Sequence, residues 1–405
     1  MKSPIKIIYS ILSIICFMIL SLCAYFQLNI PDEITTYTGE KVTINNYTTL
    51  SQRDTSKNAA PANSMLHSEP RRAEARLFGL IPVKDVEILT VNRKYVALSG
   101  ALFGIKLYTK GAAVIECCLI KTPYGVRNPG REAGLSPGDT LLEIDGIKIS
   151  SCEQVERIVA SSDHDIFHIK YIHNNNEYYS DIASEMQNGS RQLGMWIRDS
   201  AAGLGTMTFF DPESGGFAAL GHGICDSDTG ALLTLKQAQV TNVEVAGITK
   251  GSAGTPGSIN GYFSDSYAFG VVLLNSECGI YGAADNNIIY SNNENTVPLA
   301  APNEVKRGYA QILCSLDGGE PTLYDIKITK ISISSDTPTK NLNITVTDPR
   351  LIEKTCGIIQ GMSGCPILQN GKLVGAVTHV TLTNPAKGYG IFAQKMYDEI
   401  EKAQN

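Results

Sequence analysis

Charged residues are absent from residues 7–26 (IIYSILSIICFMILSLCAYF) and return on both sides. About 20 apolar residues in a helix match the hydrocarbon thickness of a bilayer, so this stretch predicts one membrane-spanning helix. Lys2 and Lys6 precede it, while Asp32 and Glu33 follow. That asymmetry keeps the amino terminus cytoplasmic and sends the rest of the chain across. The alternative is a cleaved signal peptide, whose apolar core is shorter and ends in a small-x-small site, features not evident here. Lipidation at Cys23 is disfavoured because Leu22 is bulky where such a motif wants a small residue. Residues 32–75 are rich in Thr, Asn, Ser and Lys with no sustained period, which predicts a flexible tether with at most a strand or two. Such a tether gives the folded parts reach from the membrane and is open to proteolysis.

From Leu77 to Lys106 apolar and polar residues alternate (VKDVEILTV, KYVALSG), which suits strands. The run Gly134-Leu135-Ser136-Pro137-Gly138-Asp139 then precedes two β-rich stretches joined at Asp145-Gly146, a short hairpin. Ser150 and Glu153 form a candidate capping box ahead of Val155, Ile158 and Val159 at helical spacing. With A-G-L-x-x-G-D and I-D-G in place, residues 100–182 resemble the PDZ modules of bacterial proteases. The resemblance implies a site that takes an extended peptide as an added strand and holds its carboxylate on backbone N–H groups. The matching turn is Gly104, Ile105, Lys106 and Leu107, a departure from Gly-Leu-Gly-Phe in which Lys106 alters the peptide ends that fit. An internal or intramolecular ligand is compatible with it, and the same residues also read as the plain start of a strand.

The candidate chemistry lies in residues 361–380, GMSGCPILQNGKLVGAVTHV. The run G-x-S-G-x-P resembles the nucleophile turn of chymotrypsin-like proteases. By that match Ser363 is the nucleophile, and the N–H groups of Gly361 and Ser363 are the oxyanion donors. Asn370-Gly371 closes a two-residue hairpin just downstream, the β-context such a turn needs. A serine hydroxyl requires an imidazole within hydrogen-bond reach. His222, flanked by glycines at the end of an apolar run (FAALGHGI), is the candidate base, and His379, in the strand after the turn, is its rival. His67, His164, His168 and His173 sit in polar tether or PDZ sequence. For the carboxylate that orients the imidazole, Asp348 stands at the end of a β-run, while Asp226 and Asp228 compete by nearness to His222.

Length and composition bound these readings. A chain of 405 residues with 43% hydrophobic content can bury two or three ordinary cores. A net charge of -6, with no basic stretch longer than Arg71-Arg72, excludes nucleic acid as an expected partner. The ten cysteines are scattered, two of them within the apolar helix, without CxxC or Cys/His ligand spacing. Those outside the helix read as small buried hydrophobes, and neither a metal site nor a cofactor is expected.

Residues 200–212 (SAAGLGTMTFFDP), FAALGHGI, residues 251–261 (GSAGTPGSING), the GMSGCPI turn and the LFGLIP run at 77–82 together resemble the SpoIVB peptidase family. That resemblance implies catalytic roles for His222, Asp348 and Ser363. It also implies a mainly β fold: one transmembrane helix, a PDZ domain, then a chymotrypsin-like peptidase domain in the ordinary or a rearranged strand order. The implied boundaries are 1–31 for tip and anchor, 32–76 for the tether, 77–182 for lead-in strands and PDZ, and 183–405 for the peptidase. The family's peptidase is made in the forespore and crosses its inner membrane, placing the catalytic domain in the intermembrane space. There it cleaves a membrane-bound regulator of an intramembrane protease, which leads to activation of a late sigma factor. Self-cleavage in the tether, and a PDZ ligand drawn from substrate or tether, belong to the same expectation. Cys365 departs from the family, whose turn more often has serine there, and is expected to line the site rather than to act as the nucleophile. Two other classes stand beside this one: an envelope quality-control protease, which usually places its PDZ after the protease, and a catalytically silent PDZ adaptor.

Overall fold

The computed structural model describes residues 4–38, 47–52, 71–123, 125–264, 268–285, 296–333 and 337–404. The chain opens with helix α1 (Pro4–Asn29), within which Tyr9–Asn29 is long and apolar enough to cross a membrane, as an anchor or as a signal sequence. Its end packs against a four-stranded sheet: Phe26 and Ile30 meet Ile34, Ala73, Ala75, Val86 and Ile88. The strand order there is Glu33–Tyr37, Ile81–Val91, Arg71–Leu77, Thr48–Gln52. Much of the described part of 32–76 is therefore paired strand. In RRAEARL the inward positions are Ala73, Ala75 and Leu77, and with two of the three being alanine the run of arginines and glutamate hides the alternation. The rest of the expected tether, residues 39–46 and 53–70, lies outside the described residues.

Six strands then close a barrel: β1 (Leu102–Cys117), β2 (Met195–Phe210), β3 (Gly216–Ala219), β4 (Leu235–Thr241), β5 (Gly270–Ser276) and β6 (Gly279–Ala284). Around the ring they run β1, β2, β3, β6, β5, β4 and back to β1, all antiparallel. Phe103, Ile105, Leu107, Phe210, Phe217 and Val240 fill the interior. Each such side chain, fully buried, contributes roughly 1.5–3 kcal/mol.

The PDZ module is an insertion between β1 and β2. It comprises the helical turn Pro129–Glu132, strands Thr140–Ile144 and Ile147–Lys148, helix α2 (Cys152–Ala160) and the hairpin of Ile166–His173 with Asn176–Ala183. Asp145 and Gly146 both have positive φ at the predicted hairpin. The cap of α2 lies one residue beyond the expected Ser150: Ser151 accepts from Gln154 N–H at 3.2 Å, and Ser150 N–H donates to the Gln154 side chain.

Two expectations are corrected by the pairing of β1. Gly104, Ile105, Lys106 and Leu107 are flanked by β2 on one edge and β4 on the other, so no free edge is left there for an added peptide. The strand beside α2 is instead the start of β2. Met195 and Ile197 pack on the cluster holding Val155 and Val159, and Asp199 Oδ2 accepts from Cys152 N–H at 2.8 Å. The boundary at 182/183 also fails, because β1 pairs with β2 both inside the PDZ module (Trp196 opposite Glu116) and inside the barrel (Gly205 opposite Phe103).

The second barrel is built from β7 (Gly308–Cys314), β8 (Thr322–Ile331), β9 (Leu342–Val346), β10 (Pro366–Gln369), β11 (Lys372–Thr381) and β12 (Asn384–Phe392). Its ring runs β7, β8, β9, β12, β11, β10. That order repeats the first barrel strand for strand, so the double barrel is not rearranged. The β9–β10 connection carries helix α3 (Pro349–Thr355), and α4 (Ala393–Gln404) lays Met396, Tyr397 and Ile400 against Phe209, Tyr281 and Ile391 of the two barrels.

Candidate active site

β3 is buried along its whole length and runs into Leu220 and Gly221, both left-handed at φ 69° and 71°. Left-handed backbone at a bulky residue costs on the order of 1–3 kcal/mol, offset here because Leu220 is buried in the first barrel's core. The turn places His222 in a cleft of about 770 Å³ that also holds Ser363, Thr378, His379, Arg198 and Asp226. Close approach explains the glycine that follows: a Cβ on Gly223 would lie 2.5 Å from Ser276 O. His222 Nδ1 donates to Gly223 O at 2.9 Å. This leaves Nε2 as the basic nitrogen, the tautomer a general base needs. Burial pushes the His222 pKa below its ordinary value, and the Gly223 carbonyl opposes that only in part.

Ser363 comes from the connection between the third and fourth strands of the second barrel, the same position that His222 holds in the first. Its turn is clamped by β2. Ser363 O accepts from Thr206 N–H at 2.9 Å, while the Thr206 and Thr208 hydroxyls donate to Gly361 O and Gly364 O, each at 2.7 Å. Gly364, at φ 97°, has no room for a Cβ, which would lie 2.0 Å from Thr206 O. The Ser363 hydroxyl donates to Thr378 O at 2.8 Å. Gly361 and Ser363 N–H donate to no partner among the described residues. Cys365 is fully buried, its Sγ 3.5 Å from Thr206 Oγ1 and beside the buried Cys314, so it does not line the cleft.

Asp348 is not brought to His222. It is the N-cap of α3, and its carboxylate accepts from Arg350 N–H, Nε and Nη2 and from Asp325 N–H. Arg350 above all, with these amides, holds its pKa far below the usual carboxylate range despite burial. Asp226 does line the cleft, but its oxygens face Arg198, Asp228 N–H, Thr229 N–H and the Thr229 hydroxyl. Burial raises its pKa, and the Thr229 and Asp228 amides with Arg198 outweigh that and hold it low. Asp228 pairs with Arg198. His164, His168 and His173 pair with PDZ carboxylates, and His67 lies outside the described residues. His379 shares the cleft, its ring centroid 4.9 Å from that of His222. No group of three or more His, Cys, Asp or Glu among the described residues is placed to hold a metal ion.

The sequence gives no role to Thr206 and Thr208; both are fully buried in the structure, at alternate positions of the run GTMTFF.

Residues 189–397, just over half of the chain, match the family described as SpoIVB peptidase S55, and residues 127–172 match the PDZ domain. Among solved structures, the Rv3671c protease from M. tuberculosis is similar in its active form at 16% identity and a TM-score of 0.31, covering 50% of this chain and 74% of that one. Its inactive form is similar at 15% identity and a TM-score of 0.26, covering 50% and 85%. No curated protein matches the chain.

Proposed function

This chain belongs to the SpoIVB peptidase S55 family, and on that premise we propose that it is a membrane-associated serine endopeptidase with Ser363 as nucleophile and His222 as general base. The observation that carries the reading is the meeting of two equivalent barrel connections in one cleft, one supplying His222 and the other Ser363 with the unengaged N–H groups of Gly361 and Ser363. The serine hydroxyl leaves the Thr378 carbonyl, gives its proton to His222 Nε2 and bonds to the scissile carbonyl carbon. The carbonyl oxygen gains negative charge and is met by the two amides. His222 returns the proton to the departing amine, then takes one from the water that releases the acyl group. The Gly223 carbonyl holds the imidazole in the tautomer that a carboxylate secures in a Ser-His-Asp triad. Asp348 acts at a distance, by capping α3 in the connection that carries Ser363.

Family membership supports a role in endospore formation, with a membrane-bound regulator of an intramembrane protease as substrate and with self-cleavage ahead of the folded domains. Retention of α1 would confine enzyme and substrate to one membrane and raise their effective concentration. The test is incubation of the purified full chain in detergent, followed by intact mass. Wild type should yield truncated products that Ser363→Ala and His222→Ala do not. Equal truncation in all three would overturn the reading.

A further inference from the structure

The cleft contains a second imidazole. Thr378 and His379 lie where the pairing of β11 with β12 slips: Val377 faces Gly390 and Val380 faces Gly388, so two residues on β11 oppose only Tyr389. This is a β-bulge, a device that re-aims side chains and recurs beside active sites. Its two residues have separate contacts. The Thr378 carbonyl holds the Ser363 hydroxyl, and the His379 ring lies 4.9 Å from the His222 ring, tilted by 35°.

Among the described residues, no carboxylate is hydrogen-bonded to the base. Its Nδ1 is bound to a main-chain carbonyl, Asp348 is committed to Arg350, and Asp226 and Asp228 to Arg198. The other titratable group in the cleft is Cys225; Glu277 meets the His222 loop through its main-chain oxygen, on Gly223 N–H, and burial together with the Glu277 carboxylate charge raises the Cys225 thiol pKa. Lys340 acts on His379 from the chain ahead of β9.

We propose that His379 is a positioning residue for the general base: its ring, aimed by the β-bulge, packs on the His222 imidazole, fixes its plane and keeps water from it. Packing thereby does what a buried carboxylate does in a Ser-His-Asp triad. The role requires a flat ring, not a proton. Burial first, then the charge that His222 acquires and Lys340, push the His379 pKa down to about 4, so this ring stays neutral while His222 cycles.

The inference rests on Ser363 and His222 being nucleophile and base, and the experiment separates the two claims. Peptide hydrolysis is followed from pH 4 to 9 for the full chain and for His379→Phe, His379→Ala and Ser363→Ala. His379→Phe should keep kcat within a few-fold and leave the acid limb of kcat/KM in place. His379→Ala should lower kcat on the order of tenfold to a hundredfold, the scale of a misplaced catalytic group, with KM little changed. Its acid limb should move up toward the ordinary histidine value of about 6.5. An unmoved limb and unchanged kcat in His379→Ala would overturn the positioning role. Loss of activity in His379→Phe equal to that in Ser363→Ala would make His379 the base itself and overturn it too. Hydrolysis by Ser363→Ala would instead refute the underlying assignment.

Discussion

At Asp348 a resemblance and local chemistry point in different directions. The sequence resemblance leads one to expect a catalytic role for this residue, yet Asp348-Pro349 ahead of a helical run is also an N-cap followed by proline at the first helical position. The structure takes the second option, with Arg350 completing the carboxylate's bonds. Asp348→Ala should lower stability by about 0.5–2 kcal/mol, as loss of a cap does, while kcat of the folded protein stays within about tenfold of wild type, far from the loss of about 10⁴ that follows when a triad carboxylate is neutralised. Urea unfolding and steady-state kinetics check both halves. Because its folded pKa is depressed, Asp348 stabilises the fold above about pH 4 and ceases to do so as pH falls through the folded value. His222 has its own pH signature. Its folded pKa is lowered by burial, so the base remains neutral below the ordinary value of about 6.5, and the acid limb of kcat/KM should lie under that pH. A limb above 6.5 would contradict the buried base. The glycine-rich turns that carry Ser363 and His222 into one cleft were legible locally; what faces each residue was not, because the Thr378 carbonyl and the His379 ring arrive through pairing distant in sequence.

Among the elements, β2 does the most to set the site, and its periodicity conceals that. Residues 205–210 are buried on both faces, so no alternation marks Thr206 and Thr208 as different from their neighbours. Thr206→Val preserves shape and leaves Gly361 O without its donor, a buried acceptor whose loss costs about 1–3 kcal/mol. The nucleophile turn should loosen, giving a fall in kcat larger than any rise in KM; an unchanged kcat in the folded variant would show that the clamp does not position Ser363. The PDZ hairpin, its helix and the Asn370-Gly371 turn were readable because each is specified within a few residues. The ends of the module were not. β1 and β2 are 16 residues long and belong to two units at once, and no local pattern marks where a strand passes from one sheet environment to another.

The molecule as a whole is a double barrel with a PDZ domain set into its first half, and the two share the long strands β1 and β2. Ile197→Asp, placed on β2 where it packs on the PDZ cluster, should destabilise barrel and PDZ together in one unfolding transition by tryptophan fluorescence and far-ultraviolet circular dichroism. Two separated transitions would mean that the shared strands do not couple them. The assignment of Ser363, served by His222, as the nucleophile is open to covalent labelling. The full chain is treated with a fluorophosphonate probe, and the adduct is mapped by tandem mass spectrometry. That assignment requires a single adduct on Ser363 in wild type, Cys365→Ser and Asp348→Ala, with labelling slowed by orders of magnitude in His222→Ala and absent in Ser363→Ala. An adduct elsewhere, or undiminished labelling in His222→Ala, would contradict it.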